Sequence, residues 1–147
     1  MMKDYDVVLI SGGFDPVHKG HVRMVKSSAK LGEILVVGVN SDEWLKRKKG
    51  KAFMGFEERV EIMSSFQGVG YATGFDDSDN SASDLIHAAR KCYPDASIAF
   101  ANGGDRVHDN IPEVQTCLDN RVEMVWNVGG GKIQSSSDLI SRSKTKD

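Results

Sequence analysis

The chain has 147 residues, of which 39% are hydrophobic and 27% charged, with a formal net charge of −2. That length supports one domain with a single core, and the composition is that of an ordinary globular protein. The near-neutral balance excludes a bulk attraction to nucleic acid or to a membrane surface, and no apolar run approaches the ~20 residues of a transmembrane helix.

The first residues, Met1-Met2-Lys3-Asp4-Tyr5-Asp6, do not read as a signal peptide, because two aspartates interrupt a short apolar stretch. Val7-Val8-Leu9-Ile10 then has the unbroken hydrophobicity of a buried parallel strand. It leads into Gly12-Gly13-Phe14-Asp15-Pro16-Val17-His18-Lys19-Gly20-His21, after which apolar residues at 22, 25 and 29 give a helical period. The expected local structure is a strand–loop–helix corner. Gly12 and Gly13 permit a tight turn and close approach of an anion to backbone amides. The unpaired amides and dipole at the helix start favour phosphate there. His18 and His21, three apart, project over one face of the helix start.

Two histidines, an aspartate and glycines at one such corner resemble the signature Gly-x-Phe-Asp-x-x-His-x-Gly-His of the cytidylyltransferase-like nucleotidyltransferases. Every fixed position is filled, by Gly12, Phe14, Asp15, His18, Gly20 and His21. The Walker-type Gly-x-x-x-x-Gly-Lys-Ser/Thr loop and the dinucleotide Gly-x-Gly-x-x-Gly pattern are both absent. A zinc site is not expected, since His-x-x-His here has no convincing third and fourth protein ligand. The resemblance implies that Gly12, Gly13, Phe14 and Asp15 bind nucleotide and that His18 and His21 act on the reacting phosphates.

Residues 33–39 form a second buried strand, so 7–39 makes a strand–helix–strand unit with a right-handed crossover and parallel pairing. Asn40-Ser41-Asp42 ends that strand at the edge where open α/β sheets bind ligands. Lys46, Arg47, Lys48, Lys49 and Lys51 follow as a basic run, expected as a mobile loop that closes over a triphosphate. A solvated charged loop or a nucleic-acid contact are the other meanings of such a run, though no interleaved aromatics support base stacking. The string Asn40-Ser41-Asp42-x-x-Leu45-Lys46-Arg47-x-Lys49-Gly50 resembles the loop of heptose-phosphate adenylyltransferases. Asp42, Lys48 and Lys51 also align with the acidic-then-lysine loop of glycerol-phosphate cytidylyltransferases. The resemblance makes Lys46 catalytic and Asp42, Lys48, Lys49 and Lys51 acceptor-binding.

A helix is expected over 55–66. Within it Arg59 is an acceptor-binding candidate by resemblance, with a salt bridge as the equal alternative. A weaker strand spans 69–73. Asp76-Asp77-Ser78-Asp79-Asn80 lacks the glycine and final glutamate of a calcium loop and is expected as a solvated turn. Residues 83–93 read as a helix stopped by Pro94, with His87 a surface or half-buried position. A fourth strand at 97–101 runs into Asn102-Gly103-Gly104-Asp105-Arg106. The resemblance brings Gly104 and Asp105 to the nucleotide's sugar or base and makes Arg106 a phosphate contact; a turn that merely needs two glycines is the alternative.

A short helix from 111 to 118 and a fifth strand at 122–128 complete the expected sheet. The glycine-rich stretch 129–134 precedes Ser135, Ser136 and Ser137 at the start of a last helix. Serines there cap free amides and equally suit an anion; the resemblance assigns them to the β- and γ-phosphates. Glycerol-phosphate cytidylyltransferases carry Arg-Thr-Glu-Gly before this cluster, whereas this chain has Gly130-Gly131-Lys132-Ile133. Lys132 or Arg106 supplies the missing cation, or the chain belongs to a branch without it. Residues 141–147 are expected to fray. Cys92 and Cys117 make no disulfide framework and are expected to be reduced thiols of a cytoplasmic protein.

The expected fold is a Rossmann-like, doubly wound α/β domain with a five-stranded parallel sheet in the order 3-2-1-4-5. The implied activity is transfer of a nucleoside monophosphate from CTP or ATP, carried with Mg²⁺, to a small sugar or polyol phosphate. A homodimer is implied as well. Adenylyl transfer to pantetheine phosphate or nicotinamide mononucleotide, and a non-catalytic nucleotide-binding module, are the alternatives.

Overall fold

The computed structural model describes residues 3–103 and 111–128. Five strands, β1 (Tyr5–Gly12), β2 (Gly32–Val39), β3 (Tyr71–Gly74), β4 (Ile98–Gly103) and β5 (Val122–Val128), form one sheet in the order 3-2-1-4-5. Every pairing is parallel. Helices α1 (Lys19–Ala29), α2 (Asp42–Lys49), α3 (Phe56–Ser64), α4 (Ser83–Cys92) and α5 (Glu113–Asp119) fill the connections. The sequence expectation of a doubly wound α/β domain holds.

Alternation along the strands divides the core. Val7, Leu9, Val36, Ile98 and Phe100 pack with Leu85, Ile86 and Ala89 of α4 and Cys117 of α5. Val8, Ile10, Leu35, Val37 and Ala99 pack on the other face with Val25 of α1 and Met63 of α3. A strand buried on both faces cannot alternate polar and apolar residues, so its sequence is a continuous hydrophobic run. Tight packing removes even a methyl at some positions: a Cβ at Gly32 would lie 2.5 Å from Val8 Cγ2 and 3.2 Å from the Tyr5 carbonyl oxygen.

The central strand shapes the ligand edge. β1 stays paired with β2 as far as Gly12↔Val39. Its pairing with β4 ends at Leu9↔Phe100. Beyond that point the two strands part, at the place where the sheet order reverses direction, and crevices of this kind take ligands.

Two local expectations need correction. The basic run is not a mobile loop: residues 42–49 form α2, capped at Ser41 and ended by Gly50 in the left-handed conformation (φ 94°). Lysine and arginine are good helix formers, and acidic residues in the first turn with cations in the last complement the helix dipole. Nor is the acidic turn solvated throughout, because Asp77 is 4% exposed. β3 lies one to two residues later than expected. Among the described residues no helix is long and apolar enough to cross a membrane.

Candidate functional site

At the end of β1 the chain turns through Gly12, Gly13 and Phe14 into α1. A Cβ at Gly12 would lie 3.1 Å from the Phe14 ring, and one at Gly13 would lie 3.0 Å from Leu45 Cδ2 and 3.4 Å from Trp44 Cζ3. The glycines therefore admit the Phe14 ring and helix α2 against the loop. Phe14 is buried and takes a left-handed backbone (φ 52°). For an aromatic residue this stores strain of about 1–3 kcal/mol, a cost found at functional loops. Its ring meets that of His21 edge-on, centroids 4.9 Å apart.

The two histidines cap α1 reciprocally. His18 Nδ1 accepts the Gly20 N–H at 3.0 Å, and His21 Nδ1 accepts the His18 N–H at 3.1 Å. The rings stack, with centroids 3.9 Å apart. This modifies the sequence expectation of bare amides at the helix start, since the imidazoles already satisfy two of them. With both Nδ1 atoms accepting, the neutral rings carry their proton on Nε2. Each ring then offers one N–H donor on the edge opposite the cap. Burial lowers the pKa of His18. Burial and the neighbouring His18 together lower that of His21 to about 4. At neutral pH the pair is two uncharged donors.

Asp15 faces inward. Its side chain, 1% exposed, accepts the N–H groups of Phe53 and Met54, each at 2.6 Å. Lys49 Nζ lies 3.3 Å from Asp15 Oδ2 and also donates to the Asp15 carbonyl. Burial alone would raise the Asp15 pKa, but the two amides and the Lys49 ammonium outweigh it and hold it below the usual range. Asp15 thus ties the phosphate loop to the segment between α2 and α3. Lys49, expected on the acceptor, is the partner of that carboxylate.

Arg59 is corrected as well. Its side chain is fully buried, so it presents no surface to a substrate. Nε donates to the Met54 carbonyl at 2.9 Å, and Nη1 donates to those of Gly13 at 3.0 Å and Asn40 at 2.7 Å. Nη2 meets Asp42 Oδ1 at 2.6 Å. The guanidinium joins the β1 loop, the end of β2, α2 and the start of α3. Asp42, expected on the acceptor, holds Arg59 while its side chain stays 37% exposed. The salt-bridge alternative describes this pair.

Lys46, Lys48 and Lys51 are exposed, and Lys48 Nζ sits 5.2 Å from the centre of the Trp44 ring. On the other side of the β2–α2 junction, Asp77 Oδ2 accepts from Asn40 Nδ2 at 3.0 Å and from the Ser41 amide at 2.8 Å. Its burial would raise the pKa, but the bonds from Asn40 and Ser41 and the charge of Arg47 hold it down. Sequence reasoning missed this residue. Gly104, Asp105, Arg106, Lys132, Ser135, Ser136 and Ser137 lie outside the described residues.

Among the described residues no group of three or more His, Cys, Asp or Glu side chains is placed to hold a metal. The carboxylate of the phosphate loop, Asp15, is taken by amides and a lysine. This donor set does not fit a protein-held cation.

The glycine loop, stacked histidine pair and parted strands coincide with a family model described as cytidylyltransferase-like, which matches residues 9–141. The chain belongs to the cytidylyltransferase-like family. This member is 31% identical over 140 residues to a protein of Geobacter sulfurreducens named bifunctional protein HldE, covering 92% of the chain and 26% of that protein. It is 38% identical over 123 residues to a protein of the same name from Desulfatibacillum aliphaticivorans, covering 81% and 24%. The cytidylyltransferase-like chain thus spans about a quarter of the length of the curated relatives it matches. Among solved structures it resembles the lipopolysaccharide core biosynthesis protein of Thermoplasma volcanium, with a TM-score of 0.65 and 25% identity over 83% of this chain and 95% of that one.

Proposed function

We propose that this chain is a nucleotidyltransferase that moves a nucleoside monophosphate from ATP or CTP to a small sugar or polyol phosphate and releases pyrophosphate. The observation that carries the proposal is the stacked, reciprocally capped pair His18 and His21, held neutral with both proton-bearing edges away from the helix. ATP is the nucleotide to test first. The Asn40-Ser41-Asp42…Lys46-Arg47-x-Lys49-Gly50 string resembles that of heptose-phosphate adenylyltransferases, and the arginine of the glycerol-phosphate branch is absent before Ser135.

An acceptor phosphate is already an anionic nucleophile at neutral pH, so no strong base is needed. One of its oxygens attacks the α-phosphorus in line. The new P–O bond forms as the bond to the bridging α–β oxygen breaks, and the electron pair leaves on pyrophosphate. Catalysis is then positioning and charge stabilisation. His18 and His21 donate through Nε2–H to oxygens gaining charge at the α- and β-phosphates. Lys46 brings positive charge to the acceptor and α-phosphate, with Lys48 and Lys51 nearby in sequence. Ser135, Ser136 and Ser137 hold the leaving pyrophosphate, and Gly104, Asp105 and Arg106 take the sugar, base or phosphate side. Mg²⁺ arrives with the triphosphate and offsets its charge.

The test is pyrophosphate release with Mg²⁺, crossing ATP and CTP with heptose 1-phosphate, glycerol 3-phosphate and ribitol 5-phosphate. Release with one pair, reduced about 10²–10³-fold in His18→Ala as for loss of one transition-state donor, is the expected result. An active pair that His18→Ala leaves unchanged refutes the mechanism. Nucleotide binding without release from any phosphorylated acceptor favours a binding module.

A further inference from the structure

We infer that Asp77, in the turn between β3 and α4, is a positioning residue that sets the lysine helix α2 through the hydroxyl of Ser41. The inference rests on the reaction proposed above for its functional consequence, while its structural part stands independently.

Helix α2 has little apolar hold on the domain, because Leu45 is its one buried residue. Polar ties must therefore orient it. Ser41 is its N-cap, and Ser41 Oγ accepts the Trp44 N–H at 3.0 Å. A hydroxyl has one proton and two lone pairs, and its rotation decides whether a lone pair meets that amide. Asp77 Oδ1 lies 2.7 Å from Ser41 Oγ and accepts the hydrogen bond from its O–H. The carboxylate, an acceptor only, thus fixes the cap in its accepting orientation. Asp77 Oδ2 at the same time receives the Ser41 amide and the Asn40 side chain.

The far end of α2 returns to the same turn. Arg47 Nη2 donates to the Asp77 carbonyl at 2.8 Å, and Arg47 Nε and Nη2 donate to Asn80 Oδ1 at 3.1 and 3.0 Å. Asn80 supplies that oxygen from a left-handed backbone (φ 66°), a conformation asparagine tolerates. Residues 77–80 therefore grip both ends of the helix. Asn40 is held on its carbonyl by Arg59 and on its amide side chain by Asp77. The junction from which Lys46 projects is fixed from two sides. Misplacing a reacting group by about 1 Å costs on the order of 10²-fold in rate, which makes this grip a kinetic device.

The test uses the full chain carrying Asp77→Ala, Asp77→Asn or Ser41→Ala. On each, kcat and acceptor KM are measured for the active pair, nucleotide Kd by calorimetry, and amide hydrogen exchange across the fold. Asp77→Ala should lower kcat about 10²-fold with nucleotide Kd little changed. Exchange should quicken at residues 44–49 while β1 and α1 keep their protection. Asp77→Asn keeps one oxygen for the junction and should recover part of the lost kcat. Ser41→Ala removes the cap and its bond to Asp77 Oδ1 but keeps the carboxylate on Asn40 and the Ser41 amide, and should reproduce the local exchange change even where Asp77→Ala does not fold.

Wild-type kcat in Asp77→Ala would overturn the inference. So would a loss of kcat that tracks loosening of the whole sheet, the mark of a merely structural residue. If the wild-type chain releases pyrophosphate from no pair, the nucleotidyl-transfer reading fails separately. The exchange data then decide the remainder: local quickening at α2 supports the grip, and unchanged or sheet-wide exchange removes it.

Discussion

Replacing Arg59 by Met tests a fully buried polar tie between four segments. Methionine fills much of the same volume but removes the donors to the carbonyls of Met54, Gly13 and Asn40 and to Asp42. Asp42 recovers most of its loss, because its side chain is 37% exposed and can turn to water. The three carbonyls sit against a fully buried side chain, and each orphaned acceptor costs about 1 kcal/mol or more. With the Asp42 loss largely offset by water, three such acceptors give an expected loss of about 3–5 kcal/mol. For a domain of this size 1 kcal/mol moves the melting temperature by roughly 2–4 °C, so the midpoint should fall by roughly 6–20 °C. Calorimetry or thermal circular dichroism reads this directly. Arg59→Lys keeps the charge but lacks the planar fork, and should recover less than half of the loss. A midpoint for Arg59→Met within about 2 °C of wild type would refute the account of Arg59 as the junction of four segments.

Three further outcomes follow from the same packing. The folded pKa of His21 is depressed to about 4, so the unfolded chain binds its proton first as pH falls below about 6.5. Stability should drop through the window from about 6.5 to 4, by at most about 1.4 kcal/mol per pH unit from this group; urea unfolding of wild type against His21→Gln checks it, and a difference constant with pH would refute it. Gly32→Ala should cost about 1–3 kcal/mol by overpacking, because the new methyl meets Val8 and the Tyr5 carbonyl; an unchanged chemical-denaturation midpoint would contradict the register drawn for β1 and β2. Cys92 is exposed, while Cys117 is buried and its pKa is pushed up to about 12 by burial and Glu113. A thiol reagent at pH 8 should therefore label Cys92 rapidly and Cys117 only on unfolding, counted by mass spectrometry.

The sheet and its corner were legible because each signal is local. β1, β2 and β4 are buried on both faces and spell themselves out as apolar runs, and Gly12-x-Phe14-Asp15…His18…His21 lies on contiguous chain. Helix α2 was misread because Leu45 alone gives it an apolar face, so there was no period to detect. The signal that was present, Ser41 before the run and Gly50 after it, is a cap pair. The burial of Arg59 and of Asp77 was illegible for a different reason. Apart from Met54, the partners of Arg59 lie 17–46 residues away, and those of Asp77 at the β2–α2 junction and on Arg47 lie 30–37 away. An aspartate among aspartates looks solvated until the fold brings Asn40 and Ser41 onto it. Asp15 was recognised as a motif residue, but its inward orientation toward Phe53 and Met54 is a tertiary fact.

The neutrality of the stacked histidines separates two ways of holding an anion. Uncharged Nε2–H donors act at hydrogen-bond range, which dissolved ions scarcely screen, whereas exposed Lys46, Lys48 and Lys51 act through a field that fades over about 8–10 Å at physiological ionic strength. Under the proposed function, added salt should therefore weaken capture of the nucleotide and acceptor through the lysines while leaving the histidine contribution nearly intact. The steepness of the salt dependence would belong to α2 and the adjoining Lys51, and what survives at high salt would belong to the corner between β1 and α1.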